Sequence, residues 1–254
     1  MSRRKETVMK KSGEKSICIA ELQNQILQWQ GFKQVERKHD GLGLGELEQA
    51  FPGNVFPVGA LHEFICGNKE EEAASSGFLG SLLSFLIQKD GVVLWISGSD
   101  QLFAPAMTSF GLEPDRIIFV QIQKQKDLLW ALEEGLKCTA VKVVVAEIQE
   151  INFVQSRRLQ LVVEKSQVTG LLLRFQPRVL GATTCAVRWH IRPRPSYVQD
   201  NMPGVGFPVW EAELLKVKNG QPSRWQLIWK QGNLLVEQLC KAKVSVSTDK
   251  RKVG

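Results

Sequence analysis

The stretch "HEFICGNKEEEAASSGFLGSLLSFL", residues 62–86, has the order of parts of a phosphate-binding loop. A short apolar run (Phe64, Ile65) leads to Gly67. A polar segment follows, then Ser75-Ser76-Gly77, then a helix-like run from Phe78 to Ile87. A working loop cradles anionic oxygens with backbone N–H groups at a helix N-terminus. It also needs a Lys for the terminal phosphates and a Ser/Thr hydroxyl for Mg²⁺. Here Gly67 and Gly77 are too far apart for the Gly-x4-Gly spacing, and Phe78 and Leu79 stand where Lys and Ser/Thr belong. Glu70, Glu71 and Glu72 add like charge beside the place a triphosphate would take. Gly67, Ser75, Ser76, Gly77, Phe78 and Leu79 therefore read as a degenerate phosphate loop. The metal-binding acid is missing too: Ala146 follows the "VKVVV" run, and Glu147, one residue later, is expected to face the other way. Neither nucleotide hydrolysis nor a metal or cofactor site is expected. The favoured reading is a structural strand–loop–helix connection, with a pocket that still binds some ligand as the rival.

On both sides of this stretch the pattern is that of an α/β protein. Strands are expected at 60–66, 91–97, 116–122, 141–148 and 170–175, with helices over 77–88, 101–110, 126–137 and 152–167. The 91–97 and 141–148 runs are continuous and apolar, as strands buried on both faces are. Asn152 and Gln155 form a capping pair at the start of the last helix. Strands alternating with helices imply a mostly parallel sheet. After Gln176 the pattern becomes antiparallel: a strand at 185–193, then two strands within 210–230 around Asn219-Gly220, a strong hairpin signal. Trp210, Trp225 and Trp229 are expected to pack in that sheet. N-terminal to this core, Ile19, Leu22, Ile26 and Trp29 fall on one face of a helix over 16–30. That stripe needs a cover, either its own domain or a partner. "DGLGLG" at 40–45 reads as a linker. The domain division is a basic tail (1–15), helix and linker (16–46), a core domain (47–236) and a second basic tail (237–254).

The net charge of +7 sits at the ends. Residues 1–15 and 241–254 each carry +4, leaving the middle at −1. The tails serve either as solubilising ends or as weak, non-specific contacts to nucleic-acid phosphates. Inside the chain, residues 151–199 hold Arg157, Arg158, Lys165, Arg174, Arg178, Arg188, Arg192 and Arg194 against Glu164. Arg157, Arg158 and Arg178 are the nucleic-acid candidates; a solvated helix face is the alternative for the first two. The five cysteines are scattered without a C-x-x-C pair, so neither zinc nor a disulfide framework is suggested. His39, His62 and His190 lack metal-ligand spacing. His62 reads as a packed residue rather than a base. No run has the length of a membrane helix, and no signal peptide is expected; a cytoplasmic location fits.

The ordered pieces "GALHEF", "LWIS…LFAPAMTSFGLEPDRIIFV", "DLLWALEEGLK", "SRRLQL" and "LLLR…RW", over roughly 47–230, resemble the ImuA family of RecA-like bacterial mutagenesis proteins. The resemblance implies a RecA-like core with antiparallel strands at its C-terminal end. It also implies a non-catalytic, SOS-induced accessory factor of error-prone translesion DNA repair. The partners it implies are an ImuB-type polymerase-like protein, an error-prone replicative-type polymerase and RecA. A SulA-like cell-division inhibitor and a RecA-like nucleotide-dependent DNA-binding protein are the alternatives. In RecA the DNA-contacting loops follow the fourth and fifth core strands; here those positions are 149–155 and 176–185, and the second holds one basic residue, Arg178.

Overall fold

The structure is a computed structural model and describes residues 41–88, 91–98, 104–198 and 204–238. The N-terminal stripe Ile19, Leu22, Ile26 and Trp29, the first basic tail and the second from 239 onward lie outside the described residues; Glu237 and Gln238, assigned to that tail, end the last strand.

Nine strands form one sheet in the order β3-β2-β4-β5-β1-β6-β7-β8-β9. They are β1 (Leu61–Cys66), β2 (Val93–Ser97), β3 (Ile117–Gln121), β4 (Val143–Ile148), β5 (Thr169–Phe175), β6 (Val187–Tyr197), β7 (Phe207–Val217), β8 (Arg224–Lys230) and β9 (Asn233–Gln238). Pairing is parallel from β3 through β6 and antiparallel from β6 to β9. This is the expected α/β class: a mostly parallel sheet flanked by helices, with antiparallel strands at the C-terminal end.

Helices α1 (Lys69–Ile87), α2 (Gln125–Lys137) and α3 (Phe153–Ser166) link the parallel strands. Helix α1 places Phe78, Leu79, Leu82 and Leu83 in the larger core, with Phe64, Trp95, Val143, Val145 and the tryptophans of β6–β8. Helices α2 and α3 cover the opposite face, where Leu132, Leu136, Leu159 and Val163 meet Leu61, Val144, Ala146 and Leu172. The period-2 alternation of each strand decides which cluster a residue joins. Trp210, Trp225 and Trp229 are buried as expected, and the Trp229 indole N–H donates to the Ser109 carbonyl at 2.7 Å.

Several boundaries differ from the expected ones. Helix α1 starts at Lys69, not at 77. Two short 3-10 turns, Gly45–Ala50 and Pro52–Asn54, lie where the expected linker meets the core domain. Leu44 and Leu47 anchor that segment in the larger core. Strand β6 runs on through Pro193 to Tyr197, and β9 adds a strand beyond the expected hairpin. The Asn219-Gly220 turn does join two antiparallel strands. Asn219 has φ of 60°, and a Cβ on Gly220 would come within 2.4 Å of the Ala50 carbonyl oxygen. That close approach fixes glycine at the position.

Candidate functional site

The parallel strands β1, β2, β4 and β5 end on one edge of the sheet, and β1 connects to β2 across the two strands between them. A crevice opens at such a switch point in open α/β sheets. Here it is a cleft of about 370 Å³ lined chiefly by Lys69, Glu72, Gly98, Glu147, Gln149 and Gln176. The turn between β1 and α1, Gly67 and Asn68, immediately precedes Lys69 of that lining.

That turn is closed by its own side chains. The Asn68 carboxamide oxygen accepts from the Glu71 N–H at 2.8 Å, an N-cap. The Glu71 carboxylate accepts from the Gly67 N–H at 2.7 Å. It also meets His190 Nε2 at 3.0 Å. Glu71 thus places a tethered anion on the backbone donor that leads into the helix. Glu70, Glu71 and Glu72 form the first turn of α1, where negative charge complements the helix dipole.

The degenerate-loop residues separate accordingly. Gly67 is in the turn, but Ser75, Ser76, Gly77, Phe78 and Leu79 lie inside α1. Ser75 is buried and accepts from the Cys66 thiol at 3.3 Å. A Cβ on Gly77 would meet Trp210 at 3.1 Å and Phe110 at 3.2 Å, so this glycine serves helix packing. Phe78 packs against Phe64, Trp189 and Trp210. The residue that stands at the helix start, where a loop lysine would, is Lys69. Sequence reasoning missed it because it looked for a Gly-Lys-Ser string ending near 79; the cue was Asn68-x-x-Glu71, an N-cap signature.

Glu147 requires a correction. It faces the α1 side, on the same face as Val143 and Val145, and lines the cleft. Ala146 is the residue turned away, toward α2 and α3. Strand alternation holds; the position taken to face the cleft was off by one. The Trp95 indole N–H donates to Glu147 at 2.8 Å, and the Ser97 hydroxyl also donates to it. Burial nevertheless raises the Glu147 carboxyl above its ordinary value, against the lowering effect of these two bonds. Burial also raises Glu72, and the nearby Glu147 charge adds to it, while Lys69 acts in the opposite sense. A cleft with two mutually repelling carboxylates and one lysine disfavours a polyphosphate.

The other titratable candidates are structural. His62 is buried and stacks on Phe56. Its Nε2–H donates to the Pro57 carbonyl at 2.7 Å, and Nδ1 accepts from the Trp189 indole at 3.4 Å. Burial lowers its pKa to about 4, so it is neutral at physiological pH. Burial pushes the Cys66 and Cys185 thiols up to about 12. Among the described residues no group of three or more His, Cys, Asp or Glu could hold a metal ion.

The internal basic stretch is largely paired. Arg174 and Arg188 bind the buried Glu63 at 3.1 and 2.8 Å, and Thr183 donates to the same carboxylate at 2.5 Å. Arg192, Arg194 and Arg224 converge on Glu211. Arg158 pairs with Glu133 at 2.6 Å, and Arg157 lies 4.0 Å from Glu164. Arg178 is exposed, and its backbone N–H donates to Glu150 at 2.6 Å. The 149–156 and 176–184 segments run side by side, which sets Arg178 beside the start of α3, while Arg157 and Arg158 turn to Glu164 and to Glu133 of α2.

No protein-family model matches the chain. Over 200 residues it is 32% identical to Protein ImuA of Caulobacter vibrioides, with the same values for strain NA1000 / CB15N and strain ATCC 19089 / CIP 103742 / CB 15. The match covers 73% of this chain and 82% of each relative. The chain belongs to the ImuA family. Among the described residues no helix is long and apolar enough to cross a membrane.

Proposed function

We propose that the protein is a non-catalytic, RecA-like accessory factor in the DNA-damage mutagenesis system. In this reading it acts as an adaptor for an ImuB-type polymerase-like partner during SOS-induced translesion synthesis. An error-prone replicative-type polymerase and RecA belong to the same assembly, in the cytoplasm. Membership of the ImuA family supports the setting. The observation that carries the non-catalytic part is Glu71. Its carboxylate occupies the Gly67 N–H at 2.7 Å, in the two-residue turn that replaces a phosphate-binding loop. With that donor engaged and Glu72 and Glu147 in the cleft, binding energy for a nucleotide is lacking, and the fold serves to hold other proteins.

The test is affinity purification of the full chain from DNA-damaged cells, with the bound proteins identified, beside an ATPase assay on purified protein. Recovery of the polymerase-like partner with no ATP turnover is the expected result. ATP turnover that disappears on Lys69→Ala would overturn the non-catalytic reading.

A further inference from the structure

Among the described residues β3 ends the sheet on its parallel side. A bare row of N–H and C=O groups recruits another strand, so native edges are blunted by charge, proline or a bulge. Strand β3, Ile117-Ile118-Phe119-Val120-Gln121, holds no charged residue and no proline, and it pairs with β2 without a register shift. Ile118 and Phe119 keep 51% and 41% of their surface exposed, whereas β1, β2, β4 and β5 are almost entirely buried. At the other end of the sheet β9 carries Glu237, an edge charge of the ordinary protective kind.

One bond tells which backbone groups of β3 are free. The Ile122 N–H donates to the Ser97 carbonyl at 2.8 Å, so Ile122 turns toward β2. Successive residues of a strand turn their N–H and C=O groups to opposite sides. Ile118 and Val120 therefore also face β2, while Phe119 and Gln121 present theirs to the open edge. The Ile117 N–H is taken by the Pro114 carbonyl, which leaves the Ile117 carbonyl for an outside donor.

Laid antiparallel against a second copy about Phe119, this strand is its own complement. Phe119 exchanges two hydrogen bonds with the partner's Phe119, and the Gln121 N–H reaches the partner's Ile117 carbonyl. Ile118 stands opposite the partner's Val120 on the α2 face, where Val120 already joins the smaller core. On the other face, beside Trp95, ring meets ring. Cross-strand pairs of these kinds stabilise a sheet, and no like charges stand opposite each other. The flanks fit the same direction. Glu113 and Asp115 precede the strand, and Lys124 and Lys126 follow it. With Arg116 and Asp127 counted, residues 112–116 and 122–127 still carry −1 and +1. Antiparallel pairing sets the acidic flank of each copy beside the basic flank of the other, and parallel pairing sets like beside like.

We infer that β3 pairs antiparallel with β3 of a second copy of this chain, giving a two-fold dimer with one sheet running through both protomers. The contact is isologous and closes on itself, so it consumes both bare edges without building a fibre. Strand direction reverses across the two-fold axis, so the two clefts open toward opposite ends of the dimer. This goes beyond the adaptor reading and does not depend on it.

Sedimentation velocity on the full chain, over a series of concentrations, should give the mass of two chains that falls to one on dilution. Phe119→Lys and Phe119→Glu each set like charges directly opposite at the axis, and each should weaken the dimer by about tenfold or more. An equimolar mixture of these two variants should restore it, because lysine then faces glutamate. Gln121→Pro removes an outward N–H and no apolar surface, and it leaves the ladder to β2 intact. It should weaken the dimer several-fold, and it carries the test if the Phe119 variants do not fold. A parent that stays monomeric throughout overturns the inference, since something else then covers the edge. A dimer that survives all three substitutions overturns it as well, because another surface holds it. Folded monomeric Phe119 variants that fail to reassociate when mixed overturn the pairing about Phe119.

Discussion

Two places on this molecule treat their carboxylates in opposite ways. In the antiparallel extension, Glu211 is almost fully buried and accepts from Arg192, Arg194 and Arg224. Burial alone would raise its pKa, but the guanidiniums hold the carboxyl below its ordinary value. In the cleft at the ends of the parallel strands, Glu147 is also largely enclosed, yet it is bonded to an indole and a hydroxyl, and its carboxyl is raised. The difference is the supply of arginine. The extension uses its cations to neutralise buried acids that tie strands together. The cleft, where ligands bind in open α/β sheets, is left with acids whose carboxyls are raised above their ordinary value. The basic run between 151 and 199 therefore speaks more of internal ion pairs than of a polyanion partner.

The largest break in this contrast should come at Glu63, the other arginine-bound acid. Its carboxylate takes Arg174, Arg188 and Thr183, and both Glu63 and Arg174 are inaccessible to solvent. Glu63→Gln removes the charge and leaves a buried guanidinium with a neutral partner, at a cost of about 3–5 kcal/mol. Urea unfolding should show a loss of that size in unfolding free energy, read as a lower midpoint with little change in slope. A loss under about 1 kcal/mol would mean that the network is not what fastens β1 to β5 and β6.

How far these features were legible in the sequence follows from the range of the interactions. Val143-Val144-Val145 announced a buried strand, Asn152 and Gln155 a helix start, and Asn219-Gly220 a hairpin, because each is a local preference. The capping box at Asn152 forms as read, with both reciprocal bonds present. Glu63 was opaque: it is an acid inside an apolar strand whose partners lie 111 to 125 residues away. Strand β9 was missed because Gln231-Gly232 is a weak turn string, although both residues adopt positive φ as a two-residue hairpin requires. The start of α1 was misplaced for a different reason. Glycine and serine at 75–77 looked like loop residues, but packing against Phe110 and Trp210 makes Gly77 suit a helix interior despite its low helix propensity. Tertiary contact overrode propensity there. The facing of Glu147 depended on a one-residue register that no local pattern fixes.

A smaller effect is expected at the turn. Glu71→Ala removes the acceptor of the Gly67 N–H and the partner of His190. It also removes an acidic group from the first turn of α1. Thermal melting should report a loss of about 1 kcal/mol. The same variant sharpens the functional contrast. With the tethered anion gone, inorganic phosphate should stabilise the variant more than the parent at equal concentration. Equal stabilisation of both proteins would show that Glu71 is a cap and does not exclude anions.

The smallest effect, and the one of opposite sign, belongs to Glu147. A carboxyl whose folded pKa lies above its unfolded value disfavours the folded state when ionised. Its penalty is present above the folded pKa and is relieved as pH falls through that value toward the ordinary 4.5. Glu211 behaves in the reverse way: its contribution is present above 4.5 and is lost as pH falls through its lowered folded pKa. Glu147→Gln should therefore leave stability at pH 7 unchanged or raise it by a few tenths of a kcal/mol to about 1 kcal/mol. The amide oxygen can still accept from the Trp95 indole. As pH falls from 7 toward the ordinary 4.5 the parent should gain relative to the variant, because only the parent takes up a proton at this site. Melting curves of both proteins at several pH values give that difference directly. A variant destabilised at pH 7, with a pH dependence identical to the parent's, would mean that Glu147 is held ionised by its two donors. The cleft and the extension would then manage their acids in the same way.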